Sequence, residues 1–287
     1  MKSIAAKFRL YWPLVKGLQT GLLLATGLAG YMSARCPVFN LGMILGLSGS
    51  LFMSISGSTV LNMWWDRDID AKMRRTQKRP TSSGNATPKE VLRLGLILSV
   101  LGVGWAVALD ALYGLVVFAG LFFDVVIYSM WLKRRTCWGI VWGGISGAMP
   151  ILAGRVLGLG SIDWIGVTLA LGVLFWIPTH TLTFSMKFFD DYQAAGVPTF
   201  PSTYGFAFTR TTIAVSSVLA ALAMGAAAFG IGMAWGFLRL LGVLSAGLLM
   251  LAFAITFRPS DRINFSLFKY ASIYMLAAMI LVVIEVL

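Results

Sequence analysis

Two short stretches concentrate the acidic residues of this chain. The first, "NMWWDRDIDAKMRRTQKRP" at 62–80, carries three aspartates and six Lys/Arg residues. The second, "KFFDDYQAAGVPTFP" at 187–201, carries Asp190 and Asp191. Together they hold five of the eleven acidic residues in the sequence. Asn62, Asp66 and Asp70 are spaced i, i+4, i+8 and form one stripe if the segment is helical. Asp68 falls off that stripe by roughly 160–200° at helical periodicity, and Arg67 is its expected partner. Asp190 and Asp191 are adjacent and cannot share a helical face, and Asp191 is the one expected to face the first cluster. Carboxylates packed so closely repel one another and require a cation. Mg²⁺ suits them, because it takes oxygen ligands and commonly bridges carboxylates to substrate phosphates. Lys72, Arg74, Arg75, Lys78 and Arg79 follow at once, with Lys133, Arg134 and Lys187 on other loops. A metal plus Lys/Arg is what a diphosphate leaving group needs, since both stabilise charge as it builds. The competing expectation is a solvated loop whose acids only pair with neighbouring bases.

These clusters lie at the ends of apolar segments. The 287-residue chain is 58% hydrophobic and 12% charged, with mean hydropathy +0.83. A soluble core does not absorb that much apolar surface, and the repeated runs near 20 residues predict membrane helices. The short alternating segments of a transmembrane β-barrel are absent. Nine spans are predicted, near 18–34, 41–63, 91–109, 111–131, 138–157, 162–186, 211–232, 235–257 and 268–287. With the N-terminus and the even-to-odd connections on one side, that side holds 20 of the 23 Lys/Arg residues. Arg35, Arg155 and Arg239 remain on the other. This asymmetry predicts a cytoplasmic N-terminus and cytoplasmic charged loops. It also accounts for the net charge of +12 without a nucleic-acid partner. The stretch "MKSIAAKFRLYWPLVK" reads as an interfacial segment leading into the first span, not a cleaved signal. Cys36 and Cys137 have no metal-site spacing and make no disulfide framework. The expected organisation is one all-α membrane domain over 1–287. Its small-residue runs, "GGISG" at 143–147 and "MGAAAFGIG" at 224–232, allow close helix packing.

Two polar residues fall inside spans. His180, the sole histidine, sits in "WIPTHTLTF", about three helical turns before Asp191. It is a candidate for contact with an acceptor or its metal, or else a packing histidine. Asp124, in "GLFFDVVIY", must be paired or neutralised, and faces either a cavity or a neighbouring helix. Most of the ten tryptophans read as interface anchors, with Trp64, Trp65 and Trp176 as exceptions near a cavity.

"NMWWDRDID" resembles the NxxxDxxxD motif of the UbiA superfamily of intramembrane prenyltransferases. "DRDIDAKMRRTQKRP", "YSMWLKRRT", "GGISGAMP", "WIPTH" and "DDYQAAGVPTFP" resemble its heme O synthase branch, in the same order. The resemblance covers about residues 20–205. It implies a bundle of nine transmembrane helices around a central cavity in a prokaryotic cell membrane. It also implies Mg²⁺-dependent prenyl transfer from an isoprenyl diphosphate to a hydrophobic acceptor, here farnesyl diphosphate to protoheme. Carried over by motif, Asn62, Asp66 and Asp70 hold Mg²⁺–diphosphate, Asp190 and Asp191 form the second metal site, and Arg75 and Arg79 contact the diphosphate. Tyr128 and Lys133 occupy the place of the family's tyrosine–lysine pair. The first span departs: Lys16 matches a Lys-Pro-Arg opening, but Gly17 and Leu18 do not. Other acceptors within the same chemistry are an aromatic quinone precursor or geranylgeranylglyceryl phosphate. A cation-coupled transporter is the alternative from another class, but transporters tend to place coupling charges near the bilayer midplane, not at span ends.

Overall fold

The computed structural model describes residues 10–34 and 40–286. The interfacial segment expected at the N-terminus lies mostly outside them, as does Cys36. A 3₁₀ turn, Trp12–Val15, leads into α1 (Gly17–Ser33). Then come α2 (Leu41–Trp65), the short α3 (Arg67–Lys72), α4 (Pro88–Leu109) and α5 (Ala111–Leu132). They are followed by α6 (Gly139–Leu159), α7 (Trp164–Lys187), the short α8 (Phe189–Ala194), α9 (Phe200–Ile231), α10 (Trp235–Phe257) and α11 (Asp261–Ile284).

Eight of the described helices are long and apolar enough to cross a membrane. The ninth, α1, has 17 residues and spans about 25 Å, somewhat short of the ~30 Å hydrocarbon core. The largest boundary correction concerns the seventh span, predicted from 211. Its helix α9 begins at Phe200, where Thr199 caps it through Ser202 and Pro201 occupies the first turn. Polar residues in that first stretch hide it from a hydropathy reading. The helix kinks at Gly205, whose φ of 81° and ψ of 168° are open to glycine alone.

The helices close into a ring. α1 packs on α2, α6 and α11; α4 bridges α2 and α5; α6 joins α5 to α7; α7 carries α9 and α11; and α10 closes against α9 and α11. One apolar core lies among α6, α7, α9, α10 and α11, and a second among α1, α2, α4, α5 and α6. α6 serves both. In the most apolar stretch of α2, 61% of residues are buried, against 22% for α5 and α10, so α2 is an inner helix and those two form the periphery. α1 and α6 meet backbone to backbone: a Cβ on Gly154 would sit 1.9 Å from the Gly27 carbonyl oxygen, and one on Gly30 would sit 2.0 Å from that of Ile151. Gly154→Ala must therefore separate two helices, not rotate a side chain. It is expected to lower the melting temperature in detergent by several degrees, which a thermal-shift series with Gly104→Ala as control will read. Gly104 has open space around its Cα.

Candidate active site

The first acidic stretch lies where α2 ends. Asp66 terminates α2, with φ −87° and ψ 7°, and α3 restarts at Arg67. The break does not shift the register. The Asp66 amide donates to Asn62 O at 2.9 Å, and the Asp70 amide donates to Asp66 O at 2.8 Å. The i, i+4 spacing therefore runs unbroken through Asn62, Asp66 and Asp70. Asp66 and Asp70 are buried, at 3% and 4% exposure, in a chain whose loops had every opportunity to solvate them. Asp68 points away and is exposed, held by a bidentate pair with Arg134 at 2.7 and 2.8 Å. Its expected partner Arg67 instead donates to Trp64 O at 2.7 Å. The pairing went to Arg134 because its fork matches the carboxylate across the loop.

The second stretch forms α8. Its anchor is a small apolar cluster in which Ile69 and Met73 from the first loop meet Ala195 and Val197 from the second, with Tyr192 alongside. This contact brings Asp191 to the backbone amides of Arg74 and Arg75, at 3.3 and 3.4 Å. Asp190 is exposed and has no comparable contact among the described residues. The Arg75 guanidinium lies 4.9 Å over the Phe184 ring and 5.5 Å over that of Phe188. Turns through 73–86 fold Arg79 back onto Asp70 at 2.6 Å. The Lys133 ammonium is ion-paired with Asp66 and lies 5.7 Å from the Tyr128 ring.

Lys16 is the non-glycine residue with positive φ (48°) among the described residues. Such a conformation costs of order 1 kcal/mol or more and clusters at functional sites. Burial, with Arg79 and Lys133 as neighbouring cations, lowers the Lys16 pKa to about 8, against the pull of Asp124 and Asp70. The first loop, the Lys133 loop and Lys16 thus share one charged cluster. Burial also pushes the Asp66 carboxyl up, opposed by Lys133.

Among the described residues no three His, Cys, Asp or Glu side chains already converge as a metal-holding group. Asp66, Asp68 and Asp70 are each met instead by a cation, and Asp191 by backbone amides. The donor set nevertheless fits a hard divalent ion. Its candidates are oxygens, and the buried Asp66 Oδ1 takes no hydrogen bond.

His180 lies on α7 between two aromatic faces, Trp176 at 5.1 Å and Phe268 at 4.5 Å. Its Nδ1 is 3.2 Å from Ser272 Oγ. Phe184 touches Phe268 at 5.6 Å, so an aromatic column runs from His180 toward Arg75. Tyr128 packs flush on Gly143, where a Cβ would come within 2.8 Å of the ring. That contact gives "GGISG" a local purpose beside helix packing. A cavity of about 320 Å³ lies elsewhere, in an apolar groove between α9 and α10 lined by Thr211, Val215 and Phe253.

Sequence reasoning flagged Asp124 as needing a partner, which a neighbouring helix supplies, and missed Ser58, Ser129 and the Arg74 and Arg75 amides. Asp124 Oδ2 accepts from Ser58 Oγ and, at 2.7 Å, from Asn62 Nδ2. Ser129 Oγ donates to Asn62 Oδ1 at 2.7 Å. These contacts depend on a π-helical stretch, Phe123–Leu132, in α5. Asp124 and Lys133 are nine residues apart, which at 3.6 per turn places them on opposite faces of an α-helix. The wider i→i+5 pattern, seen in the Lys133 amide donating to Tyr128 O at 2.8 Å, brings both to α2.

A ring of membrane helices with an acid–base cluster at its loop end defines an integral membrane protein whose charged groups could hold an anion. The sequence profile of the UbiA prenyltransferase family matches residues 23–273, and the chain belongs to that family. It is a prenyltransferase, which sets the transporter alternative aside. The chain is 39% identical over 268 residues to the protoheme IX farnesyltransferase of Archaeoglobus fulgidus, covering 93% of this chain and 92% of that one. It is 37% identical over 276 residues to the Aeropyrum pernix protein of the same name, covering 94% and 89%. Among solved structures, a digeranylgeranylglyceryl phosphate synthase superimposes with a TM-score of 0.81 at 18% identity, covering 98% of each chain. A UbiA homologue from A. fulgidus bound to GPP and Mg²⁺ gives 0.70 at 15% identity, covering 96% of this chain and 98% of that one. At those identities the likeness concerns the fold alone.

Proposed function

We propose that this enzyme transfers a farnesyl group from farnesyl diphosphate to protoheme IX, giving heme O and diphosphate. The observation that carries this is 37–39% identity over nearly the full length to protoheme IX farnesyltransferases, joined to a cluster of buried acids and bases suited to a diphosphate. Asn62, Asp66, Asp70, Asp190 and Asp191 would hold Mg²⁺. When bound, that ion supplies Lewis-acid stabilisation of the departing diphosphate. Arg75, Arg79, Lys133 and Lys16 offer positive charge where the leaving group develops its own. Tyr128 sits against Lys133 and fixes its approach. Asp66 and Asp70 hold Lys133 and Arg79 in place before substrate arrives, so little reorganisation is left for the reaction itself.

The allylic C–O bond breaks and its electron pair leaves with the diphosphate. A vinyl carbon of the acceptor bonds to the farnesyl C1, and water adds to the porphyrin cation, which releases a proton. The stacked, serine-bonded His180 presents a fixed imidazole edge to the acceptor. The single domain sits in a prokaryotic cell membrane with its N-terminus and active-site loops cytoplasmic.

An acceptor panel tests the assignment. Purified protein is given farnesyl diphosphate with protoheme, 4-hydroxybenzoate or geranylgeranylglyceryl phosphate, with and without Mg²⁺, and products are weighed by mass spectrometry. Heme O from protoheme, dependent on Mg²⁺, is expected. Product from another acceptor with none from protoheme rejects the assignment.

Lys16 makes a separate, signed prediction. Its ammonium is present below about pH 8 and lost above it. The apparent KM for farnesyl diphosphate is therefore expected to rise between pH 7 and 9, and Lys16→Arg is expected to flatten that rise. Stability should move the other way. Between about pH 8 and the ordinary lysine range the unfolded chain binds a proton that the folded chain does not, so stability increases with pH across that window. A KM profile unchanged by Lys16→Arg would remove Lys16 from diphosphate binding.

A further inference from the structure

The proposed mechanism gives Asp124 no role, yet a carboxylate inside a membrane helix is costly and is kept for a reason. Its contacts are specific. One oxygen, Oδ2, receives both the Ser58 hydroxyl and the Asn62 side-chain nitrogen. Two donors converge on one acceptor oxygen. The Asn62 amide therefore has a fixed sense: its NH₂ must face Asp124, and its carbonyl oxygen must face the other way. Ser129 meets that oxygen at 2.7 Å with one hydroxyl, and among the described residues no other side chain takes its second lone pair.

The π-helical geometry is what permits this clamp. Asp124 and Ser129 are five residues apart, about 1.4 turns of an α-helix, so their side chains would diverge around it. The i→i+5 pattern stacks them on one face, where they grip the two ends of one amide. α2 and α5 then run in matched register, with Asp124 at Ser58 and Asn62, Ser129 at Asn62, and Lys133 at Asp66. π segments are rare and are frequently found at functional sites.

We propose that Asp124 is a positioning residue for metal–diphosphate binding, acting through Asn62, whose carbonyl oxygen it orients as the first ligand of the Asn62–Asp66–Asp70 stripe. This rests on the metal role proposed above for that stripe. Partners that orient a metal ligand typically contribute 10- to 100-fold to affinity.

The test uses the full-length protein in detergent, Mn²⁺ as the probe and inorganic diphosphate as the anion. Bound Mn²⁺ is read by electron paramagnetic resonance, and melting temperature is measured alongside. Asp124→Ala and Asn62→Ala should each weaken Mn²⁺ binding about tenfold, and the double variant should be no weaker than the weaker single, because both remove one device. Asp124→Asn, which can still accept from Asn62, should recover much of the loss. Ser129→Ala provides a second approach if Asp124→Ala does not fold, with a loss of several-fold expected. Asp124→Ala and Asp124→Asn that lower melting temperature but leave Mn²⁺ affinity unchanged overturn the proposal and assign Asp124 to packing. If Asn62→Ala weakens binding while the Asp124 variants do not, the metal stripe stands and the Asp124 proposal fails. If the wild type binds no Mn²⁺ with diphosphate, both fail together.

Discussion

Asp66→Asn is expected to abolish prenyl transfer while leaving a folded protein. Asp66 is the one member of the stripe that is buried, ion-paired and also left with an oxygen that takes no hydrogen bond, its contact there being Arg134 at 3.9 Å. The substitution keeps the shape and removes the charge. Two consequences follow at once. A hard cation loses an anionic ligand, and Lys133 loses the group that holds its ammonium over the pocket. Loss of a preorganised electrostatic contact to a developing charge costs about 10²–10³ in kcat, and loss of metal binding adds to that. A fall of about 10³ or more in turnover is expected, measured with labelled farnesyl diphosphate. Melting temperature should fall only modestly, since an amide still accepts from Lys133. Asp68→Asn is the internal control: exposed and tied to Arg134, it should retain most activity. Asp191→Asn should also abolish turnover, because Asp191 meets the first loop at the Arg74 and Arg75 amides. Retained turnover in both Asp66→Asn and Asp191→Asn would sink the site assignment.

The contrast between Asp66 and Asp68 shows what the sequence made legible. The four-residue spacing alone separates the stripe from its neighbour, because hydrogen bonds repeat every four residues even across the α2–α3 break. Hydropathy located the helices, since lipid demands long apolar runs. It failed where that demand is relaxed, at the polar start of α9. The role of Asp124 was illegible for a different reason. Periodicity arguments assume 3.6 residues per turn, and the relevant stretch of α5 does not obey it. Asp124 and Lys133 could not be placed on one face without knowing that. The Asp68 partner was missed because loop-to-loop pairing across 66 residues leaves no local trace.

Arg155→Ala is expected to be the most destabilising single substitution on the face away from the acids. Arg155 was one of three basic residues assigned to that side, where a charge serves no diphosphate. It is buried at 5% exposure within α6. Its Nε and Nη2 grip Asp163 at 2.7 Å each, and its Nη1 donates to the Ser33 carbonyl at 2.6 Å and to the Ser33 hydroxyl at 3.0 Å. Asp163 in turn caps α7 through the Gly166 amide at 2.9 Å. One guanidinium therefore ties the ends of α1 and α6 to the start of α7, at the seam between the two apolar cores. Removing it strands a carboxylate and the last carbonyl of α1, and breaking a buried pair by deleting one partner costs about 3–5 kcal/mol. Because Asp163 is about a quarter exposed, the lower end of that range is expected. Arg155 also holds the Asp163 carboxyl below the ordinary carboxylate range. The clamp's contribution is therefore complete at neutral pH and is lost only as pH falls through that depressed value. Arg155→Lys keeps the charge but not the fork, and should recover less than half of the loss. Thermal unfolding in detergent, followed at pH 7, ranks the variants. If Arg155→Ala melts within a degree or two of wild type, the clamp holds nothing together and α1–α6 glycine packing alone secures this face.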